Sequence, residues 1–264
     1  MKDQQIIVIT GGTRGLGAVL VKHFAKLGHG VVMNYRRESH ANIVQEELKT
    51  MGVDDKVLPV LADVRDREQV RHMFDRTLDH FGRVDVLINC AGVNRDAPFT
   101  ELTDEDWDTV VDAHLKGTFT CGQEFVRHNP DNPGHIINLG AACGLQGRLN
   151  GANFCSAKGG VAALTKCMAR ELAPRIQVNC LIPSAVDTEE VRERYKLDTP
   201  EGMKRVLSGI PMGRLGAHED VVQMVECIPG PDELEVLIEH IDRIGVDVHI
   251  TGTLDVGQDS LDCT

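Results

Sequence analysis

The chain has 264 residues, 42% of them hydrophobic and 26% charged, with a formal net charge of -12. That length suits one globular domain, 1–264, with a core of its own and little room for a separate substrate domain. The acidic excess is spread along the sequence, which argues against nucleic acid or anionic membrane as the main partner.

The first apolar run, Ile6 to Thr10, is too short for a signal segment or a membrane span and runs straight into glycines. A cytoplasmic protein is expected. Further β-branched runs follow at Gly30 to Tyr35, Val57 to Leu61, Val84 to Asn89, His135 to Leu139, Gln177 to Ile182 and Asp247 to Ile250. Most are almost continuously apolar, as strands buried on both faces are, and helical stretches separate them. The alternation predicts an α/β fold: a doubly wound parallel sheet of about seven strands in three layers, with helices on both faces and ligands at the carboxyl ends of the strands.

The first strand leads into Thr10-Gly11-Gly12-Thr13-Arg14-Gly15-Leu16-Gly17 and then the helix Ala18 to Leu27. Glycines allow a tight turn and a close approach of backbone to pyrophosphate, and the helix start offers unpaired amides. With a strand before it and a helix after it, the motif predicts a Rossmann-type dinucleotide site. The second strand ends in Asn34-Tyr35-Arg36-Arg37, with no carboxylate to hold ribose hydroxyls. Arg36 and Arg14 suit a 2′-phosphate, so NADP(H) is preferred over NAD(H).

The eight cysteines show no paired zinc-type spacing and are read as reduced thiols, and no metal site is expected. Thr103-Asp104-Glu105-Asp106 opens a helix running to Arg127, and a second long helix spans Ser156 to Leu172 with small residues Gly159, Gly160, Ala162 and Ala163 between its apolar positions. The segment Asp187 to Gly209 is polar and loop-rich. Beyond Pro229-Gly230-Pro231, an added or lengthened helix is expected at about 229–246, with apolar residues at 234, 237, 238, 241 and 244 on one face.

Taken together, Thr10 to Gly17, Asp63-Val64, Asn89-Cys90-Ala91-Gly92, Lys158, Pro183 to Thr188 and Thr251-Gly252 resemble the short-chain dehydrogenase/reductase family across almost the whole chain. Asn89 to Asp96 and Ile210 to Gly216 are most similar to its β-ketoacyl-carrier-protein reductase branch. The resemblance implies that Gly11, Thr13, Arg14, Gly15, Leu16, Gly17 and Arg36 hold the cofactor's phosphates, that Asp63 and Val64 flank adenine, and that Asn89 and Gly92 support the adenosine side. It further implies that Lys158 binds the nicotinamide ribose and that Pro183 and Thr188 meet the nicotinamide, although Ser184 replaces the glycine expected after Pro183. It also implies a homodimer or homotetramer built on the two long helices.

The same resemblance requires an Asn, a Ser, a Tyr and a Lys for chemistry, and only Lys158 is present. The asparagine position holds His114, the serine position Ala141 and the tyrosine position Phe154, with Ala141 and Phe154 keeping the family's thirteen-residue separation. A phenyl ring neither gives nor takes a proton. His114 reads equally as a catalytic residue or a core histidine, and Cys143 and Cys155 beside the changed positions read chiefly as packing. Three functions stay open: a ketoreductase for a small-molecule or carrier-bound carbonyl compound that works without the usual Ser/Tyr pair; an inactive subunit of a heteromer with an active paralogue; and a non-redox cyclase, isomerase or dehydratase.

Overall fold

A computed structural model describes residues 4–227 except Ser184 and Pro211. Its described strands are β1 (Ile6–Ile9), β2 (Gly30–Tyr35), β3 (Val57–Leu61), β4 (Val86–Asn89), β5 (Gly134–Leu139) and β6 (Ile176–Leu181). The helices are α1 (Gly15–Lys26), α2 (Glu38–Met51), α3 (Arg67–Phe81), α4 (Asp104–Val111), α5 (Gly117–Arg127), α6 (Cys143–Gln146), α7 (Ala152–Leu172), α8 (Glu189–Tyr195), α9 (Pro200–Leu207) and α10 (His218–Cys227). The six strands form one parallel sheet in the order β3-β2-β1-β4-β5-β6. The expected seventh strand, Asp247 to Ile250, the helix at about 229–246 and Thr251-Gly252 lie outside the described residues.

Side chains of successive strand residues point to opposite faces, and the core divides accordingly. Ile7, Ile9, Val31, Met33, Val86, Ile88 and Ile137 pack with α1, α2 and α10, whereas Val8, Val32, Leu87 and Ile136 pack with α3, α5 and α7. Strands β1 and β4 are buried along their whole length, which is why their sequences read as unbroken apolar runs rather than alternating ones.

The order of the strands reverses between β1 and β4, and the crevice that a doubly wound sheet leaves at its carboxyl edge opens there. Three helix expectations need correction. Helix α1 starts at Gly15, not Ala18, because Gly15 and Gly17 belong to its first turn, where glycine costs little and gives room. Helix α7 starts at Ala152, which moves Ser156 from the first turn to the second; its entry is fixed by Asn153, fully buried, whose Nδ2 donates to Arg95 O at 2.8 Å and whose Oδ1 accepts from the Phe154 N–H at 2.7 Å. The loop-rich segment Asp187 to Gly209 contains α8 and α9, capped by Thr188 and Thr199 hydroxyls that accept from the amides of Val191 and Gly202.

Candidate active site

The cleft at the sheet's carboxyl edge is assembled by buried polar side chains. Asn34, 2% exposed at the end of β2, accepts the Gly11 N–H at 3.1 Å and donates to Ala62 O at 2.9 Å, so one amide joins the glycine loop to the chain after β3. Thr10 Oγ1 accepts from both Cys90 N and Ala91 N at 3.0 Å, which fixes the chain after β4 against the same loop. Glycine is required at two places. A Cβ on Gly17 would lie 2.3 Å from Gly11 O, and one on Gly11, whose φ is +67°, would lie 2.8 Å from Ala91 Cα. The N-cap of α1, Arg14, forms no side-chain cap, so amides of the first turn stay available to a ligand.

The cleft encloses about 670 Å3, and Gly11, Thr13, Arg14, Gly15, Leu16, Arg36, Asp63, Val64, Gly92 and Thr188 all line it. Its two ends differ in charge. Arg14, Arg36, Arg37 and His40 lie toward β2, while Glu189, Glu190 and Glu193 come from α8. Arg36 stands 3.8 Å from the Asp63 carboxylate, which Arg65 holds through contacts as short as 2.6 Å. Burial raises the affinity of Asp63 for its proton, but the hydrogen bonds and charge of Arg65, with the charge of Arg36, outweigh it and keep the carboxyl below its ordinary range.

Four expected cofactor residues do not line this cleft. Gly17 lies beneath it as a packing glycine. Asn89 is buried and donates through Nδ2 to Asn138 Oδ1 at 2.9 Å, while Asn138 donates to Thr165 Oγ1 at 2.9 Å, a chain that ties β4 to β5 and α7. Pro183 is half-buried after β6. Lys158 is 9% exposed, and its ammonium donates to Leu139 O; burial lowers its pKa from the usual lysine value.

Three of the four positions that the resemblance assigns to chemistry meet directly. Lys158 Nζ lies 5.7 Å from the centroid of the Phe154 ring, and the His114 ring meets Phe154 edge-on at 5.0 Å. The fourth, Ala141, follows two residues after Leu139, whose carbonyl Lys158 reaches. Helix α4 does not continue smoothly into α5: residues Asp112–Lys116 form a π-turn, and His114 projects from it. A Cβ on Gly92 would lie 2.0 Å from His114 Cε1, so the glycine after β4 is what admits this imidazole.

His114 is 5% exposed. Its Nε2 is 2.8 Å from Val93 O and 3.2 Å from Val93 N; the shorter contact assigns the proton to Nε2, leaving Nδ1 a buried acceptor without a partner. Burial first, and the charge of Lys158 second, push its pKa down to about 3. At neutral pH it is a neutral imidazole with its one proton committed to a backbone carbonyl, which favours the core reading over the acid one. Ala141 offers no hydroxyl. Burial first, and the neighbouring Cys155 second, push the Cys143 thiol up to about 11. Cys90, Cys121, Cys143, Cys155, Cys167 and Cys180 are all free thiols, and among the described residues no group of His, Cys, Asp or Glu is placed to hold a metal ion.

A charged cluster at the mouth of the site went unread in the sequence. Arg148 reaches over Phe154 with its guanidinium carbon 5.2 Å from the ring centroid, and both of its terminal nitrogens bind the Asp96 carboxylate, at 2.6 and 2.7 Å. Asp96 also accepts from Arg194 Nε at 3.0 Å, and Glu190 accepts from both Arg194 and Asn94. These contacts fasten α8 to the loop after β4. One signal was present: Arg148 is the only charged residue between Gly140 and Ala157.

Comparison with known proteins agrees with this geometry. Residues 5–198 match the family described as short chain dehydrogenase. The chain is 33% identical to a 3-oxoacyl-[acyl-carrier-protein] reductase of Thermotoga maritima over 84% of its own length and 89% of the relative's, and 35% identical to that of Staphylococcus aureus over 85% and 90%. It is 30% identical to the short-chain reductase protein NovJ of Streptomyces niveus over 88% and 89%. Among solved structures it is similar to a single-residue variant of actinorhodin polyketide ketoreductase with NADPH, with a TM-score of 0.79 and 29% identity over 88% of this chain and 92% of that one. No helix among the described residues is long and apolar enough to cross a membrane. A doubly wound sheet, a glycine loop pinned at its carboxyl edge and these matches lead to one conclusion: the chain belongs to the short-chain dehydrogenase family.

Proposed function

We propose that this chain binds NADP(H) in the cleft between the glycine loop and α8, and that it is an atypical ketoreductase whose carbonyl turnover is slow because no side chain stands ready to protonate the product. The residues suit the cofactor. The Gly11/Gly17 turn leaves a cradle that a Cβ would fill, the first turn of α1 has amides free of a side-chain cap, and Arg14 and Arg36 lie at the end where a 2′-phosphate needs cations. When bound, the cofactor supplies hydride for a carbonyl carbon. Lys158 orients the ribose, Thr188 and Pro183 flank the nicotinamide, and Asp63 and Val64 border the adenine.

The observation that carries this reading is the position of Lys158 against the Phe154 ring, 5.7 Å from Nζ to centroid, which keeps the Tyr–Lys arrangement of the family without its hydroxyl. His114 is neutral and bonded to Val93, so water or the ligand supplies the proton. The direct test is the double variant Phe154→Tyr, Ala141→Ser, assayed for NADPH oxidation with generic β-ketoacyl thioesters. Returning a general acid is worth about 10²- to 10⁴-fold. A gain in that range supports a reductase pocket with disabled proton delivery; no gain in a variant that still binds NADPH contradicts it.

A second reading, a subunit that pairs with an active paralogue, is favoured by Trp107 on α4 and Phe119 on α5, which are 38% and 42% exposed on the surface where the resemblance implies subunit contacts. Self-association into a homodimer or homotetramer uses the same surface. Size-exclusion chromatography of the chain alone and mixed with the paralogue separates the two: a mixed species with raised reductase activity supports the heteromer, and self-association that leaves the paralogue's activity unchanged contradicts it.

A further inference from the structure

A phosphate held by Arg36 at the β2 end of the cleft faces a second charge of its own sign. Asp63 lines the same cleft, and its carboxylate stands 3.8 Å from the Arg36 guanidinium. A bare carboxylate there would repel the phosphate and compete with it for Arg36. Arg65 neutralises it. Its Nε donates to Oδ1 at 3.0 Å and to Oδ2 at 3.1 Å, its Nη2 donates to Oδ2 at 2.6 Å, and its backbone N–H donates to Oδ1 at 3.0 Å.

The consequence falls on Arg36. At 3.8 Å its guanidinium is too far from Asp63 for a hydrogen bond, and its side chain is 42% exposed, so it keeps donors for a ligand. The fork of a guanidinium matches a carboxylate, and Arg65 already occupies the pairing that Arg36 would otherwise make. Arg65 itself does not line the cleft and reaches a ligand only through Asp63. Nor does its side chain hold the turn alone. The Asp63 N–H donates to Gln69 Oε1 at 3.0 Å, the Asp66 N–H to Asp63 O at 2.9 Å, and Gln69 Nε2 to Asp66 Oδ2 at 2.8 Å. Removing the Arg65 side chain therefore frees the carboxylate while the contacts that hold its backbone remain.

We propose that Arg65 is a positioning residue that sets the choice between NADP(H) and NAD(H): by occupying both oxygens of Asp63 it leaves Arg36 to the 2′-phosphate and cancels the repulsion between phosphate and carboxylate. With Arg65 in place, two cations stand on Asp63; without it, the Arg36–Asp63 pair is neutral toward the phosphate. This rests on the reading of the cleft as an NADP(H) site and deepens it by naming a residue outside the cleft wall on which the preference depends.

The test is a fluorescence titration of the full chain with NADPH and with NADH, which differ only in the 2′-phosphate. In Arg65→Gln the preference for NADPH over NADH should fall about tenfold, as when one hydrogen bond to a charged group is lost. NADH affinity should stay unchanged, which also shows that the variant is folded. Arg65→Gln with Asp63→Asn removes the freed charge and should restore most of the preference, and Arg65→Lys should keep part of it. A purely structural role for Arg65 predicts instead equal weakening of both cofactors and no rescue. Equal weakening, a wild-type preference for NADPH that Arg65→Gln leaves intact, or a double variant that does not recover the preference overturns the proposal. A wild-type chain that binds neither cofactor, or NADPH no more tightly than NADH, overturns the NADP(H) reading of the cleft and this inference with it.

Discussion

The cleft beside the glycine loop and the pocket proposed around Phe154 lie on the same sheet edge, yet they are built differently. In the cleft, many contacts share the work: the side chains of Asn34 and Thr10 pin a turn in which Gly11 and Gly17 let main-chain atoms approach closely. Around Phe154 the proposed chemistry depends on single hydroxyls, and Ala141 and Phe154, which stand where the resemblance puts the serine and tyrosine, carry none, while Lys158 Nζ stays 5.7 Å from the Phe154 ring. A binding function spread over many contacts tolerates changes that a proton relay made of two or three side chains does not. The proposed function therefore expects cofactor binding and catalysis to be separable here, so that each region can be altered without the other.

The largest expected effect is the gain of NADPH oxidation in Phe154→Tyr, Ala141→Ser, about 10²- to 10⁴-fold, with cofactor affinity unchanged. A gain accompanied by a large shift in affinity would break the separation of the two regions.

Next is Gly17→Ala, which places a Cβ against Gly11 O. Forcing atoms into a packed site costs about 1–3 kcal/mol. Both the melting temperature and NADPH binding should fall, while an exposed position such as Lys49→Ala moves neither.

His114→Asn probes the boundary between the regions. The folded-state pKa of His114, about 3, lies below the ordinary histidine value of 6.5, so the unfolded chain binds the proton first and stability falls as pH drops from about 6.5 toward 3. At about pH 5 the linked loss is about 2 kcal/mol. The asparagine variant should lose that part of its acid sensitivity in denaturant melts across this range; an unchanged pH profile would show that His114 is not buried in its neutral form.

The smallest effect is expected from Arg36→Gln, which should weaken NADPH by about tenfold, as losing one hydrogen bond to a charged group does, and leave NADH unaffected. Equal weakening of both cofactors would place Arg36 away from the 2′-phosphate.

The architecture was legible in the sequence because buried parallel strands leave unbroken apolar runs; Gly30 to Tyr35 and Val57 to Leu61 match β2 and β3 residue for residue. That His114, Phe154 and Lys158 belong to one place was legible as well, since the resemblance aligns them by spacing and both rings do meet beside Lys158; that they stand at chemistry positions remains part of the proposal. Other features depend on three-dimensional neighbours. The π-turn at Asp112–Lys116 leaves no signature in apolar spacing, and Asn89 reads as a ligand contact until its partner Asn138 on β5 is seen. The cluster of Asp96, Arg148 and Arg194 joins three loops or helices far apart in the chain, so its charges read separately as solvated surface.

The most direct test of the central claim is to titrate NADPH into the wild-type chain, following its fluorescence, and then add a β-ketoacyl thioester to the saturated complex and follow cofactor oxidation. Saturable binding with oxidation at least about a hundredfold below the usual turnover of about 10 per second is the expected result. Absence of saturable binding, or oxidation at the usual rate, would contradict it.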